Sequence, residues 1–174
     1  MDHAPFGFHF YRLAADDRLV FEGANPAADA ILKFAHADCA GKALEEVFPA
    51  LVPTEIPTAY RRLAREGGTH RWETVEYRDQ RIASSFEVVA FQTASDAIAV
   101  AFTDVTERQR AERQLRESEE KFAKIFLTTP DVVVISRVRD GLLLDVNPGF
   151  EAVTGYSRAE AVGRSTLELG LWAD

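Results

Sequence analysis

Residues 25–42 read NPAADAILKFAHADCAGK, and residues 147–164 read NPGFEAVTGYSRAEAVGR. At an offset of 122, Asn25/Asn147, Pro26/Pro148, Ala30/Ala152, Ala37/Ala159 and Gly41/Gly163 are identical. Asp29/Glu151, Phe34/Tyr156 and Lys42/Arg164 keep their character. Repetition at one offset marks a repeated structural unit. Each copy also follows an apolar, strand-like run, RLVFEGA (18–24) or LLLDVN (142–147). The chain therefore holds two related units of unequal length. The second has 28 residues from Asn147 to the end, too few for the strands that complete the first. A piece of a longer protein is the expected reading.

The first unit yields a strand-helix order. FHFYRLA (8–14) and RLVFEGA flank Asp16-Asp17, a turn-forming pair, and read as a hairpin. Asn25-Pro26 ends the second strand and starts a short helix, because proline pre-sets φ and asparagine can cap. Ala28, Ile31, Leu32 and Ala35 give that helix an apolar face. A further helix is predicted from about Thr58 to Glu66, stopped by Gly67-Gly68. Three strands follow, HRWETVEYR (70–78), RIASSFEVVAFQ (81–92) and AIAVAFTDV (97–105), with Asp79-Gln80 and Ser95-Asp96 as hairpin connections. This order predicts an α+β fold, a five-stranded antiparallel sheet with short helices on one face, followed by a long linker helix.

The linker begins at "DVTERQRAERQLRESEEKF" (104–122). Thr106 and Gln109 have capping-box spacing, and Thr128-Thr129-Pro130 ends the run, so a helix is predicted over 106–127. Glu112/Arg116, Glu117/Lys121 and Glu120/Lys124 are i, i+4 pairs that support an exposed helix. Ala111, Leu115, Ser118, Phe122 and Ile125 form a thin a/d seam, suited to a partner helix in a parallel homodimer; the alternative is a rigid spacer whose Leu115 and Phe122 pack within the chain. The expected division is 1–105, 106–127 and 128–174.

Composition narrows the function. The net charge of −8 opposes general nucleic-acid binding, which needs clustered positive charge. No apolar run approaches the roughly 20 residues of a membrane span, and MDHAPFGFHF lacks the form of a secretory signal. The single cysteine, Cys39, cannot form an internal disulfide. A cytoplasmic setting without membrane insertion is expected.

These features resemble the PAS (Per-Arnt-Sim) sensor family. The carrying residues are the Asn-Pro after the second strand, the spacing from Phe34 to Gly41 and Tyr156 to Gly163, and "FTDVTER" at 102–108. The resemblance implies a sensing or dimerisation module that precedes an output domain in the same chain, such as a histidine kinase of a two-component system or a diguanylate cyclase. No catalytic constellation is visible, so the chain itself reads as non-enzymatic. Cys39 lacks the sequence surroundings of a photoactive thiol and reads as a structural cysteine. His36 and His70 read as solvated or capping rather than as haem ligands.

No cofactor is assigned. A small-molecule pocket would lie between the sheet and the short helices, with Phe10, Leu32, Phe34, Phe48, Tyr60, Trp72, Phe86, Val88, Val100 and Phe102 as candidate lining. Signal transmission is assigned to Asp104, Thr106, Leu115 and Phe122. The alternatives are a ligand-free dimerisation module and a flavin- or haem-binding light or redox sensor.

Overall fold

A computed structural model describes residues 6–171. The chain divides into two compact units, Met1–Arg110 and Ala111–Asp174. The first contains strands β1 (Gly7–Leu13), β2 (Leu19–Ala24), β3 (Thr69–Arg78), β4 (Ala83–Ala94) and β5 (Ala97–Asp104). These form one antiparallel sheet in the order β2-β1-β5-β4-β3. Between β2 and β3 run helices α1 (Pro26–Leu32), α2 (Leu44–Val47) and α3 (Ile56–Glu66), with two short 3₁₀ turns. The predicted α+β fold is the observed one. The two terminal strands β1 and β5 pair at the centre, which places the exit of β5 beside the entry of β1.

Helices and sheet enclose one core. Its fully buried members include Tyr11, Leu19, Phe21, Leu44 and Ile98. Burying one such large apolar side chain contributes about 1.5–3 kcal/mol. Leu32 on α1 and Ile56, Tyr60 and Leu63 on α3 supply the helical side. Ile56, Tyr60 and Leu63 are spaced four and three apart, so one stripe of α3 meets the sheet. The helix starts two residues earlier than expected, because Pro57 lies in its first turn rather than ahead of it.

The second unit has a hairpin, β6 (Val134–Ser136) and β7 (Leu143–Val146), then α5 (Pro148–Thr154) and α6 (Arg158–Ala161). Its core gathers Leu143, Val146, Phe150, Ala161 and Leu169. The helix α4 (Thr106–Thr128) starts in the first unit and continues into the second. Thus the compact division falls inside the helix, one turn beyond the expected boundary at 105.

The sequence repeat is also a backbone repeat. Asn25 caps α1 by accepting from the Ala28 amide, and Asn147 caps α5 by accepting from that of Phe150. Gly41 N–H donates to Phe21 O, and Gly163 N–H donates to Leu143 O. The isolated bridges Val20–Ala43 and Leu142–Ser165 likewise lie 122 residues apart.

Candidate functional site

The sheet and helices of the first unit leave a cavity of about 60 Å³. A water needs about 10–15 Å³ of such space, so the cavity holds a few waters or a molecule of a few heavy atoms. Of the predicted lining, Leu32, Phe48, Tyr60, Phe86, Val88, Val100 and Phe102 meet around it. Three others do not. Phe34 packs partly buried on the core edge under the Arg81 guanidinium, 4.7 Å from its ring. Trp72 is buried but turns to Tyr60 and His70, with its indole N–H donating to Glu55.

Phe10 is a correction. It lies 39 % exposed on the opposite face of β1, stacked on Phe8. Alternation along β1 sends His9, Tyr11 and Leu13 inward instead, and His9 and Tyr11 line the cavity. The inward Tyr11 and Leu13 were the available signal, set against two aromatic residues of the other parity. The sequence reading also omitted Leu51, Ile56, Val75, Tyr77 and Ile82 from the lining.

The histidines need a second correction. His36 occupies the N-cap position of the short turn Ala37–Cys39 without a side-chain capping bond, and it is not solvated but 4 % exposed; His9 is 6 % exposed. Their Nε2 atoms lie 3.0 Å apart. His36 Nδ1 lies 2.5 Å from Asp29 Oδ1, which also accepts from the His36 backbone N–H. Tyr11 Oη lies 3.5 Å from His9 Nδ1 at the inner end. Phe21, Phe48 and Phe102 surround the His9 ring, and Phe34 lies 4.1 Å from the His36 ring. Asp29 at the outer end is about half exposed.

Electrostatics follow from this burial. Desolvation, with the His36 charge second, holds His9 well below the usual imidazole range, so it is neutral at neutral pH. The hydrogen bond from His36 holds the Asp29 carboxyl below its usual range. Burial raises Tyr11 and Tyr60, which remain neutral phenols. With Asp29 ionised, His36 Nδ1 must donate to it. The two imidazoles share one hydrogen bond between their Nε2 atoms, and His9 Nδ1 faces Tyr11 Oη.

Cys39 is buried in the core, does not line the cavity, and has its thiol pushed up by burial. His70 is half-buried beside Trp72. His3 lies outside the described residues. The cavity is also far below the roughly 300–1,000 Å³ of pockets for drug-sized ligands, so neither a flavin nor a haem fits these residues.

The start of α4 is tied to the sheet. The Asp104 carboxylate accepts from Thr106 N–H at 2.8 Å. Val105 N–H donates to Ser85 O at 2.9 Å, and the Thr106 hydroxyl accepts from Ser85 N–H at 2.9 Å. Gln109 donates to Thr74 Oγ1 at 2.7 Å. The expected Thr106–Gln109 capping box is therefore replaced, because both side chains serve strands β4 and β3 instead. Further along, Leu115, Phe122 and Ile125 are more than half exposed. Glu120 pairs with Arg116 rather than with Lys124.

The chain belongs to the PAS family: the PAS fold model matches residues 1–110, and a PAS domain model matches residues 120–173. A PAS model thus matches in each of the two units. Among solved structures the chain is similar to a domain of an HTR-like protein from Haloarcula marismortui, at 14% identity and a TM-score of 0.45, covering 59% of this chain and 100% of that one. It is also similar to a sensory box sensor histidine kinase from Vibrio cholerae, at 17% identity and 0.39, covering 59% and 83%. The PAS domain of Bordetella pertussis BvgS gives 16% and 0.38, covering 70% and 89%. At these scores the family assignment rests on the family models alone. No curated protein matches. Among the described residues no helix is long and apolar enough to cross a membrane.

Proposed function

We propose that the first unit is a small-ligand sensor whose state is passed through α4 to the second unit and on to an output domain of the same protein, a histidine kinase or a diguanylate cyclase. The observation that carries this reading is the cavity behind β5, the strand that runs directly into α4. Val100 and Phe102 of β5 line the cavity, and Asp104 caps the helix two residues beyond Phe102. A ligand that displaces β5 side chains would load the Ser85–Thr106 junction, a rigid coupling between strand and helix. Residues 106–127 act in this reading as the linker between the units.

Homodimerisation through α4 belongs to the same proposal, supported by the exposed Leu115, Phe122 and Ile125 seam. An exposed helix with this seam gains apolar burial only from a partner.

Two measurements test the reading. Native mass spectrometry of the full chain is expected to retain a small molecule, and Val100→Trp, which fills the cavity, is expected to abolish retention. Retention by neither protein would point to a ligand-free module, and retention by both would place the molecule outside this cavity. Leu115→Glu with Phe122→Glu is expected to convert a dimer to a monomer in sedimentation; an unchanged mass would remove the helix seam from the proposal.

A further inference from the structure

Inward positions of the sheet and one stripe of α3 give the cavity a wall made mostly of hydrocarbon. Leu32 comes from α1, Ile56 from α3, Val75 from β3, Val88 from β4 and Val100 from β5. Among the described residues no Asp, Glu, Lys or Arg lines it. Its polar members are His9, Tyr11, Tyr60 and Tyr77.

Three of these have partners within the protein. The Tyr77 hydroxyl donates to Asp79 Oδ2 at 2.9 Å, and His9 Nε2 lies 3.0 Å from His36 Nε2. Tyr11 Oη faces His9 Nδ1 at 3.5 Å, the outer limit of a hydrogen bond. Tyr60 is different. It is 4 % exposed, and among the described residues no hydrogen bond reaches its hydroxyl; burial is what raises it. Every fully enclosed side-chain N or O there has a partner, so the Tyr60 hydroxyl keeps open surface, and the cavity it lines provides that surface.

These features separate the possible occupants. An ion would enter a wall that offers no countercharge, and a buried unpaired charge is strongly disfavoured. Burial keeps His9 and the three phenols neutral, so they supply none. A water needs about two to four polar partners, and here the Tyr60 hydroxyl is the one without a protein partner. A hydrocarbon would fill the wall but leave that hydroxyl buried and unpaired, which costs free energy. A short carbon chain bearing one oxygen satisfies both the wall and the hydroxyl. The phenol both donates and accepts, so the oxygen can belong to an alcohol or to a carbonyl group.

We infer that the cavity takes a short, uncharged aliphatic molecule of a few heavy atoms carrying a single oxygen, and that Tyr60 binds that oxygen. The inference rests on the sensor reading above and names the ligand class for that same cavity. Selection then has two parts. The apolar wall and the small volume reject ions and larger molecules, while Tyr60 favours an oxygen-bearing chain over a bare hydrocarbon.

The test uses the full chain with ¹³C-labelled Val, Leu and Ile methyl groups, followed by NMR at neutral pH. The probes, added separately, are xenon, 1-propanol, propanone, propanoate and 1-propylammonium. Xenon reports an accessible apolar cavity without asking anything of Tyr60. Xenon and the two uncharged oxygen compounds are expected to shift the Val88 and Val100 methyl resonances, and the two ions are expected not to. Tyr60→Phe, which keeps the ring, should weaken 1-propanol and propanone about three- to tenfold and leave xenon unchanged. Binding of only one of the two oxygen compounds would support the inference and assign the oxygen to an alcohol or to a carbonyl. Xenon binding with neither of them, an ion bound as tightly as they are, or affinities unchanged in Tyr60→Phe would overturn the ligand class and leave the sensor reading standing. Absence of any shift, xenon included, would overturn the inference and count against the cavity as a ligand site.

Discussion

The two units share a backbone plan and differ in what they enclose. Asn25 and Asn147 occupy the same cap, and Gly41 and Gly163 close the same loop with φ of 81° and 88°. On α1 and α5, Asp29 and Glu151 each accept the backbone N–H seven residues on, from His36 and from Arg158. There the likeness ends. His36 turns inward to His9, whereas the side chain of Arg158 stays exposed and donates to Asp145. One scaffold therefore serves a buried imidazole in one copy and a surface ion pair in the other. The repeated residues specify the turn, and the residue at that single position decides whether its side chain turns inward or stays at the surface.

The largest effect that would probe this likeness comes from the asparagines. Asn147 is fully buried and accepts from Val133 and Phe150 while donating to the Thr129 and Asp131 carbonyls. Asn147→Ala is expected to cost about 3 kcal/mol or more, since each buried polar group left unpaired costs about 1–3 kcal/mol. Asn25 accepts from Phe8 and Ala28 and donates to Phe6, nearer the surface. Asn25→Ala should therefore cost less. Hydrogen exchange resolved by region in the full chain separates the two; equal losses would show that the caps bear the same load despite their different burial.

Next in size is Gly149→Ala. A Cβ there would lie 2.4 Å from Asp131 O and 2.6 Å from Pro130 O, both backbone atoms that yield little. A loss of about 1–3 kcal/mol confined to the second unit is expected. The equivalent position in the first unit already carries Ala27, and Ala27→Gly should change the first unit by under about 1 kcal/mol.

A third difference is pH dependence. His9 is depressed below its unfolded value, so the folded first unit binds fewer protons than the unfolded one. Its contribution is present above the unfolded pKa of about 6.5 and is lost as pH falls below that value toward the folded pKa. Melting of the first unit should thus drop between about pH 7 and pH 5.5. His9→Phe is expected to flatten that slope, while the second unit, which contains no histidine, shows no such term. A slope unchanged in His9→Phe would assign it to other groups.

The smallest effect is at the helix ends. Lys33 holds φ of 57° where Gly155 holds 79°. Gly155→Lys is expected to cost about 1 kcal/mol, because a side chain in the left-handed region is strained. Lys33→Gly should gain somewhat less, through relief offset by added chain freedom. Thermal melts of both variants check the pair.

Much of this organisation is local, and so is legible along the chain. Asn-Pro punctuation, turn pairs at Asp16-Asp17 and Ser95-Asp96, and alternation in AIAVAFTDV depend on neighbouring residues alone. The repeat at offset 122 announced two units before any contact was known. The α4 start was legible, but its partners were not. Thr106 and Gln109 have capping-box spacing, yet Ser85 and Thr74 claim their side chains, and nothing in 104–122 names those strands.

The cavity shows the same limit more sharply. Seven of the proposed lining residues meet around it because large apolar groups on inward positions go to the core. Phe10 failed because face choice in β1 depends on how the whole strand sits against the helices, which FHFYRLA alone does not fix. His36 failed for a different reason. A lone histidine in a loop reads as solvated until a partner is known, and His9 stands 27 residues away. By itself the sequence determined the order of elements, the two units and the charged exposed helix, since each follows from short-range periodicity and backbone preference. Only the tertiary structure decided that His9 and His36 touch, that Asp29 closes their chain and that Tyr60 faces the same space. Those depend on the packing of α1 and α3 across the sheet, which no local pattern encodes.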